Sequence, residues 1–202
     1  EETGCKYHVC HISAKESVDI IRQAKKDGVD ITCETAPHYL VFCDDDLKDE
    51  GRFKMNPPIR AKEDREALIE GVLDGTIDMI ATDHAPHSVE EKSKGLKDSA
   101  MGSVGLETAF AALNTHLVRK GVISLERLIE LMSYNPRRVF RIEGGLEVGD
   151  RADIVLLDTE KAWRVDSEKF YSMGKISMFD GRDMVGDIAM TIHRGEVVYK
   201  AE

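Results

Sequence analysis

Thr76-Ile77-Asp78-Met79-Ile80-Ala81-Thr82-Asp83-His84-Ala85-Pro86-His87 is the stretch of sequence that decides the fold. Its apolar and β-branched run, Ile77 to Ala81, is typical of a buried parallel strand, and Asp83, His84 and His87 follow the C-terminal end of that strand. In α/β barrels, the active site lies at this end of the strands. One carboxylate and two imidazoles could bind a metal, move a proton or hold an anionic substrate, or they could form an exposed polar loop with a helix-capping aspartate.

Two segments upstream repeat this arrangement of a strand followed by polar side chains. Residues 6–12 are strand-like and carry His11, and residues 29–33 form a short strand that Glu34 and His38 follow. Three such segments in series predict that polar side chains gather at one edge of a parallel sheet.

Amphipathic helices separate the predicted strands. The first is expected to begin at a capping box formed by Ser13 and Glu16 and to end at Gly28, and the second ends at Gly75. Strands that alternate with helices indicate an α/β fold, here the last strands and helices of a TIM-like (β/α) barrel. We assign residues 1–142 to this partial barrel.

The alternation of predicted strands and helices ends after the partial barrel. Residues 152–157 are strand-like, and residues 187–199 are typical of a hairpin that turns near Arg194 and Gly195. We therefore expect residues 143–202 to form a small C-terminal β subdomain.

Two loops have features of substrate contact. Pro57 and Pro58 make residues 54–60 a rigid extended loop that carries Asn56, although a purely structural turn fits this loop equally well. Residues 88–103 are polar and too long for a simple connection, so we interpret them as a functional loop or lid.

Composition excludes several classes of protein. The net charge of −10 argues against a nucleic-acid-binding surface. No apolar run reaches membrane-spanning length, and the sequence predicts a cytoplasmic protein. The four cysteines contain no CxxC pair, so a zinc knuckle is not indicated. The chain begins Glu1-Glu2-Thr3-Gly4 without methionine, and we expect it to be part of something longer.

Five motifs occur in the order expected of a dihydroorotase of class I, the bacterial type, in the amidohydrolase superfamily. They are HVCHIS at residues 8–13, ETAPHYL at 34–40, KMNPPIR at 54–60, ATDHAPH at 81–87 and GSVGLET at 102–108. The segment GDRADIVLLD at residues 149–158 also resembles the C-terminal β element of that superfamily. The chain thus resembles the C-terminal half of such an enzyme.

The resemblance implies one or two zinc ions at the mouth of the barrel. It also implies interconversion of L-dihydroorotate and N-carbamoyl-L-aspartate in pyrimidine biosynthesis. By motif, His11 matches a metal ligand, and Asp83 matches an aspartate that is both metal ligand and general acid/base. Asn56, His87 and the Met101–Gly102 backbone match substrate-contacting positions.

The family pattern is incomplete in this chain. The ligands expected from the first, fourth and fifth strands have no counterpart, and His11 with Asp83 are fewer than the three or four ligands of a tight zinc site. His8, His38 and His84 match no ligand position, and we interpret them as supporting or packing residues. We therefore expect a fragment that is inactive alone and whose partner is the missing N-terminal half of the barrel.

Two other functions remain open. A hydantoinase or allantoinase would share the strand order and the metal chemistry. A non-catalytic subunit that supports aspartate transcarbamoylase would keep the fold without the activity. A homodimer of this protein and a complex with aspartate transcarbamoylase are both candidate assemblies.

Overall fold

The computed structural model describes residues 2–201 and contains two three-stranded sheets. The strands are β1 (Tyr7–Val9), β2 (Ile31–Thr35), β3 (Met79–Ile80), β4 (Ile154–Arg164), β5 (Asp183–His193) and β6 (Glu196–Lys200). The α-helices are α1 (Lys15–Lys26), α2 (Pro37–Val41), α3 (Lys62–Asp74), α4 (Val89–Lys92), α5 (Gly95–Asp98), α6 (Ala109–Leu113), α7 (Leu125–Ile129) and α8 (Asn135–Phe140). Helices α6 and α7 continue into π-helical turns, Asn114–Val118 and Glu130–Tyr134, and 3-10 turns form at Asp44–Asp46, Gly51–Phe53 and Ser167–Lys169.

The first sheet is parallel, with the strand order β1-β2-β3. Helix α1 connects β1 to β2, and α2 with α3 connect β2 to β3. The register pairs Val9 with Cys33 and Thr35 with Ile80, so the three strands end at one edge. The predicted series of strands and helices is confirmed over this part of the chain.

Apolar faces of the helices cover this sheet. Val18 and Ile21 of α1 are buried, and so are Leu68 and Val72 of α3. Helix α3 ends as predicted at Gly75, whose φ of 82° is left-handed. These side chains join one hydrophobic core that fixes where the strand ends lie.

The predicted capping box of α1 is wrong. The N-cap is Ala14, and the backbone N–H of Lys15 donates to Asp64 Oδ1 of α3 at 2.8 Å. The hydroxyl of Ser13 instead accepts a hydrogen bond from Arg60 Nε at 3.1 Å. Asp64 of the neighbouring helix α3 thus caps the first turn of α1, where the sequence predicted the local residue Ser13.

The second sheet is antiparallel, with the order β4-β5-β6, and the predicted hairpin is confirmed. Its turn falls at Arg194 and Gly195, both with positive φ. Residues of this C-terminal part enter the same core as the barrel helices, among them Phe170, Phe179 and Met184. The boundary between residues 142 and 143 stays a prediction.

The segment of residues 88–103 contains two short helices, α4 and α5. It is anchored to the rest of the chain at several points, including a hydrogen bond of 2.8 Å from Leu96 N to Asp49 Oδ1. No helix within residues 2–201 has the length and apolar character needed to cross a membrane.

Candidate active site

Three acidic and basic side chains gather where the parallel strands end. His11 follows β1, Glu34 lies near the end of β2, and Asp83 follows β3. His11 and Asp83 both have left-handed backbones, with φ of 55° and 49°. Such conformations are uncommon for residues other than glycine and concentrate at functional sites.

Glu34 and Asp83 lie on opposite sides of the His11 ring. His11 Nε2 is 3.5 Å from Asp83 Oδ1, and His11 Nδ1 is 2.9 Å from Glu34 Oε1. The latter contact is an electrostatic one rather than an aligned hydrogen bond. The Glu34 side chain is only 8% exposed, so its charge acts on His11 with little screening by water.

The surroundings of Asp83 raise the pKa of its carboxyl group. Burial raises the pKa of the Asp83 carboxyl; His11 opposes this shift, and the negative charge of Glu34 adds to it. A carboxyl group with a raised pKa exchanges protons more readily near neutral pH than an exposed one does.

His8 contacts this cluster, and His38 is a buried residue that packs against Tyr39. His8 Nε2 donates to Glu34 Oε2 at 3.2 Å, which leaves its Nδ1 to accept from the Thr32 hydroxyl at 2.8 Å. His38 is buried, and its Nε2 has no partner among residues 2–201. Burial, with a contribution from His11, lowers the pKa of His38 to about 3, so this ring is neutral.

The predicted rigid loop is tied to the strand ends. Tyr39, in α2, donates its hydroxyl proton to the Pro57 carbonyl at 2.7 Å. Burial and the nearby charge of Asp83 raise the pKa of Tyr39, so the phenol stays a donor. Asn56, next to Pro57, is exposed and accessible from solvent.

The other residues predicted to contact substrate, His87 and the Met101–Gly102 backbone, lie next to one another. His87 Nε2 lies 2.9 Å from the Met101 carbonyl, and because a carbonyl only accepts, Nε2 carries the proton. Gly102, with φ of 139°, packs so closely that an added Cβ would lie 2.6 Å from the Ala85 carbonyl oxygen. Only glycine fits this position.

His84 has a structural role. Its Nδ1 accepts hydrogen bonds from the backbone N–H groups of Gly105 and Leu106, at 3.2 and 3.3 Å. Through these two hydrogen bonds, the ring connects the segment before α6 to the end of β3. The interpretation of His84 as a supporting residue agrees with these contacts.

The donor set of His11 and Asp83 fits a zinc ion. Imidazole nitrogen and carboxylate oxygen both ligate zinc, and two ligands at about 2.1 Å from one tetrahedral ion are about 3.4 Å apart. The observed separation is 3.5 Å. Within residues 2–201, no group of three potential ligand atoms includes both residues. These two side chains therefore match part of a zinc site.

Comparison with known proteins identifies the class to which this fold and site belong. The amidohydrolase family profile matches residues 1–198, and the chain belongs to that family. It is 39% identical to the solved L-hydantoinase (dihydropyrimidinase) from Arthrobacter aurescens, with a TM-score of 0.92 over 98% of this chain and 46% of that one. The dihydropyrimidinase from Brevibacillus agri is 25% identical, with a TM-score of 0.89. The predicted partial TIM-like barrel is confirmed.

Sequence relatives include several dihydroorotases. The dihydroorotase of Anoxybacillus flavithermus is 52% identical over 202 residues, which are 99% of this chain and 47% of that protein. The dihydroorotase of Fusobacterium nucleatum is 50% identical over 98% of this chain. The chain spans about half the length of the curated relatives that it matches.

Sequence reasoning missed two residues near this site. Glu34 was visible as a polar residue at a strand end, but only the folded chain shows that it contacts both His8 and His11. Lys92, whose Nζ donates to the Gly102 carbonyl at 2.6 Å, was also missed, because a lysine in a polar segment is ordinarily solvated.

Proposed function

We propose that this chain forms the C-terminal half of a zinc-dependent dihydroorotase, which interconverts L-dihydroorotate and N-carbamoyl-L-aspartate in pyrimidine biosynthesis. The observation that carries the proposal is the 3.5 Å approach of His11 Nε2 and Asp83 Oδ1 at the strand ends. Identity of about 50% to dihydroorotases over essentially the whole chain supports the choice of reaction.

His11 and Asp83 would hold the metal. When bound, zinc supplies Lewis acidity, which lowers the pKa of a water molecule and polarises the carbonyl under attack. The remaining ligands would come from the part of the protein that corresponds to the other half of its relatives. Whether one or two ions bind depends on those residues.

Asp83 would move the proton in both directions. In hydrolysis it would take a proton from the attacking water and return it to the leaving amide nitrogen, and in ring closure it would do the reverse. Glu34, behind His11, would hold the imidazole so that Nε2 faces Asp83. Asn56 and His87 would donate to the anionic substrate, with His87 exchanging its Met101 partner.

The L-hydantoinase of known structure makes a hydantoinase the second candidate function. Its 39% identity is lower than the 50–52% shared with dihydroorotases, so dihydroorotate is the preferred substrate. A non-catalytic role beside aspartate transcarbamoylase would leave the contact of His11 with Asp83 without a use. The homodimer, the transcarbamoylase complex and the cytoplasmic location stay predictions.

A fusion protein tests the function directly. The N-terminal half of the Anoxybacillus flavithermus dihydroorotase is joined to this chain, loaded with zinc, and assayed with dihydroorotate, hydantoin and allantoin. Turnover of dihydroorotate that Asp83→Ala abolishes supports the proposal. Preferential turnover of hydantoin, or dihydroorotate turnover that survives Asp83→Ala, contradicts it.

A further inference from the structure

Lys92, at the end of α4, is a buried lysine, with only 4% of its surface exposed. Its Nζ donates to the carbonyl oxygens of Gly102, Ala100 and Lys54, at 2.6, 2.8 and 3.1 Å. An ammonium group has three N–H donors, so all of them are used. Within residues 2–201, the dipoles of these backbone carbonyls balance the charge, and no carboxylate forms an ion pair with it.

The three carbonyls come from both loops that are predicted to contact substrate. Lys54 begins the rigid loop that carries Asn56, while Ala100 and Gly102 flank Met101. The Lys54 carbonyl also accepts the Gly102 N–H at 2.9 Å, so the two loops are joined at this point twice. Lys92 therefore binds the backbone of both loops that are predicted to contact substrate.

Close packing holds Lys92 in this position. An added Cβ at Gly51 would lie 2.0 Å from the Lys92 carbonyl oxygen. The 3-10 turn Gly51–Phe53 therefore packs directly against the end of α4. The Lys54 side chain in turn donates to the Lys97 carbonyl at 3.0 Å. Burial, with a contribution from the charge of Lys54, lowers the pKa of Lys92 to about 8.

A buried cation costs free energy unless its hydrogen bonds are complete. Here they are complete only while the carbonyls of residues 54, 100 and 102 converge on one point. An apolar side chain would fill the same space without this requirement. The ammonium thus favours a single relative position of the two loops.

We propose that Lys92 is a positioning residue that holds the Asn56 loop and the Met101–Gly102 backbone in the arrangement that binds substrate. This inference rests on the proposed function for the identity of the substrate. It also revises the predicted lid, because residues 88–103 form a fastened support for the site.

The test replaces Lys92 with methionine in the fusion protein described above. Lys92→Met keeps the length of the side chain and removes its donors, and Lys94→Met is the matched control, since Lys94 is exposed on the same segment. We expect Lys92→Met to raise KM for dihydroorotate about tenfold, with kcat changed less, and Lys94→Met to change neither. Lys92→Gln, which keeps two donors, is expected to lie between.

Amide hydrogen exchange supplies a readout that is independent of turnover. In Lys92→Met, amides of residues 96–103 and 54–56 should exchange faster, while those of β2 stay protected and show that the protein is folded. If KM and exchange in Lys92→Met both equal those of Lys94→Met, the positioning role is overturned. If the unsubstituted fusion lacks dihydroorotate turnover, the proposed function fails, and hydrogen exchange alone decides the role of Lys92.

Discussion

Glu34 is the residue through which the end of β2 acts on the candidate metal ligand. It contacts His11 Nδ1 with one carboxylate oxygen and His8 Nε2 with the other. Carboxylates in this position orient a ligating histidine, and their loss typically costs about 10–100-fold in metal affinity or activity. Glu34→Gln in the fusion protein is expected to weaken zinc binding by about this factor, measured by competition with a chromophoric chelator.

The control for this prediction is Glu16→Gln, which removes the same charge from an exposed position of α1. Zinc affinity should be unchanged in that variant. Equal affinities in Glu34→Gln and the unsubstituted protein would show that Glu34 does not support the metal ligand.

His116 supplies a pH-dependent contribution to stability away from the site. Burial lowers its pKa from 6.5 to about 4, and the positive charges of Lys120 and Arg182 add to the shift. Between these values the unfolded chain binds more protons than the folded one, so this group lowers stability as the pH falls from 6.5 towards 4. His116→Gln should therefore lose less thermal stability between pH 7.5 and pH 5 than the unsubstituted protein loses, measured by calorimetry. An identical loss in the two proteins would contradict this account.

At the scale of single elements, glycine decides how closely the Met101–Gly102 backbone approaches the end of β3. Gly102→Ala would place a Cβ 2.6 Å from the Ala85 carbonyl oxygen in a strained backbone conformation. The expected cost is about 3 kcal/mol of unfolding free energy. Gly121→Ala is the comparison, because Gly121 also has positive φ but open space around it. In Gly121→Ala, backbone strain alone should lower the unfolding free energy by about 1 kcal/mol. If denaturant unfolding shows that the two variants lose equal unfolding free energy, the close approach at Gly102 is refuted.

Helix caps show how far the sequence predicts the elements. Ser124 caps α7 from within one turn: its hydroxyl accepts from Arg127 N at 3.1 Å, and donor and acceptor are three residues apart. Ser13 was expected to cap α1, but the Lys15 N–H donates instead to Asp64, which is 49 residues from Lys15 in the sequence. Asn135 is the first residue of α8, which continues directly from the π-helical turn Glu130–Tyr134, and its side chain donates to the Asp78 carbonyl at 2.7 Å. Local patterns predict contacts made within one turn and fail where a distant residue competes.

The same distinction applies to the candidate site. His11 and Asp83 could be found because each follows an apolar strand, and parallel strands bring their ends together. Lys92 could not be found, since the carbonyls that it binds belong to residues 54, 100 and 102, and backbone acceptors leave no trace in the sequence. The sequence therefore shows which side chains follow the strand ends, whereas the contacts that these side chains make, and residues that bind distant backbone groups, require the folded chain.

At the scale of the whole molecule, the parallel sheet of the described residues has two open edges. Its order is β1-β2-β3, so β1 and β3 each pair on one side within residues 2–201. Barrels abolish such edges by closing, and unpaired edges recruit other strands. The same chain carries His11 and Asp83, which we propose as two of the zinc ligands, and it spans 47% of the Anoxybacillus flavithermus dihydroorotase. Fold and site are therefore completed, in our proposal, by one and the same partner.

This leads to a prediction about assembly. The isolated chain is expected to show no dihydroorotate turnover with zinc, because in our proposal the other half supplies the remaining ligands and strands. Titration with a separately purified N-terminal half of the Anoxybacillus flavithermus dihydroorotase should restore turnover along a saturating curve. Loss of that rescue in Asp83→Ala, with association unchanged by sedimentation, would show that this chain contributes chemistry as well as strands. Full turnover by the pure isolated chain would instead mean that two ligands and three parallel strands suffice.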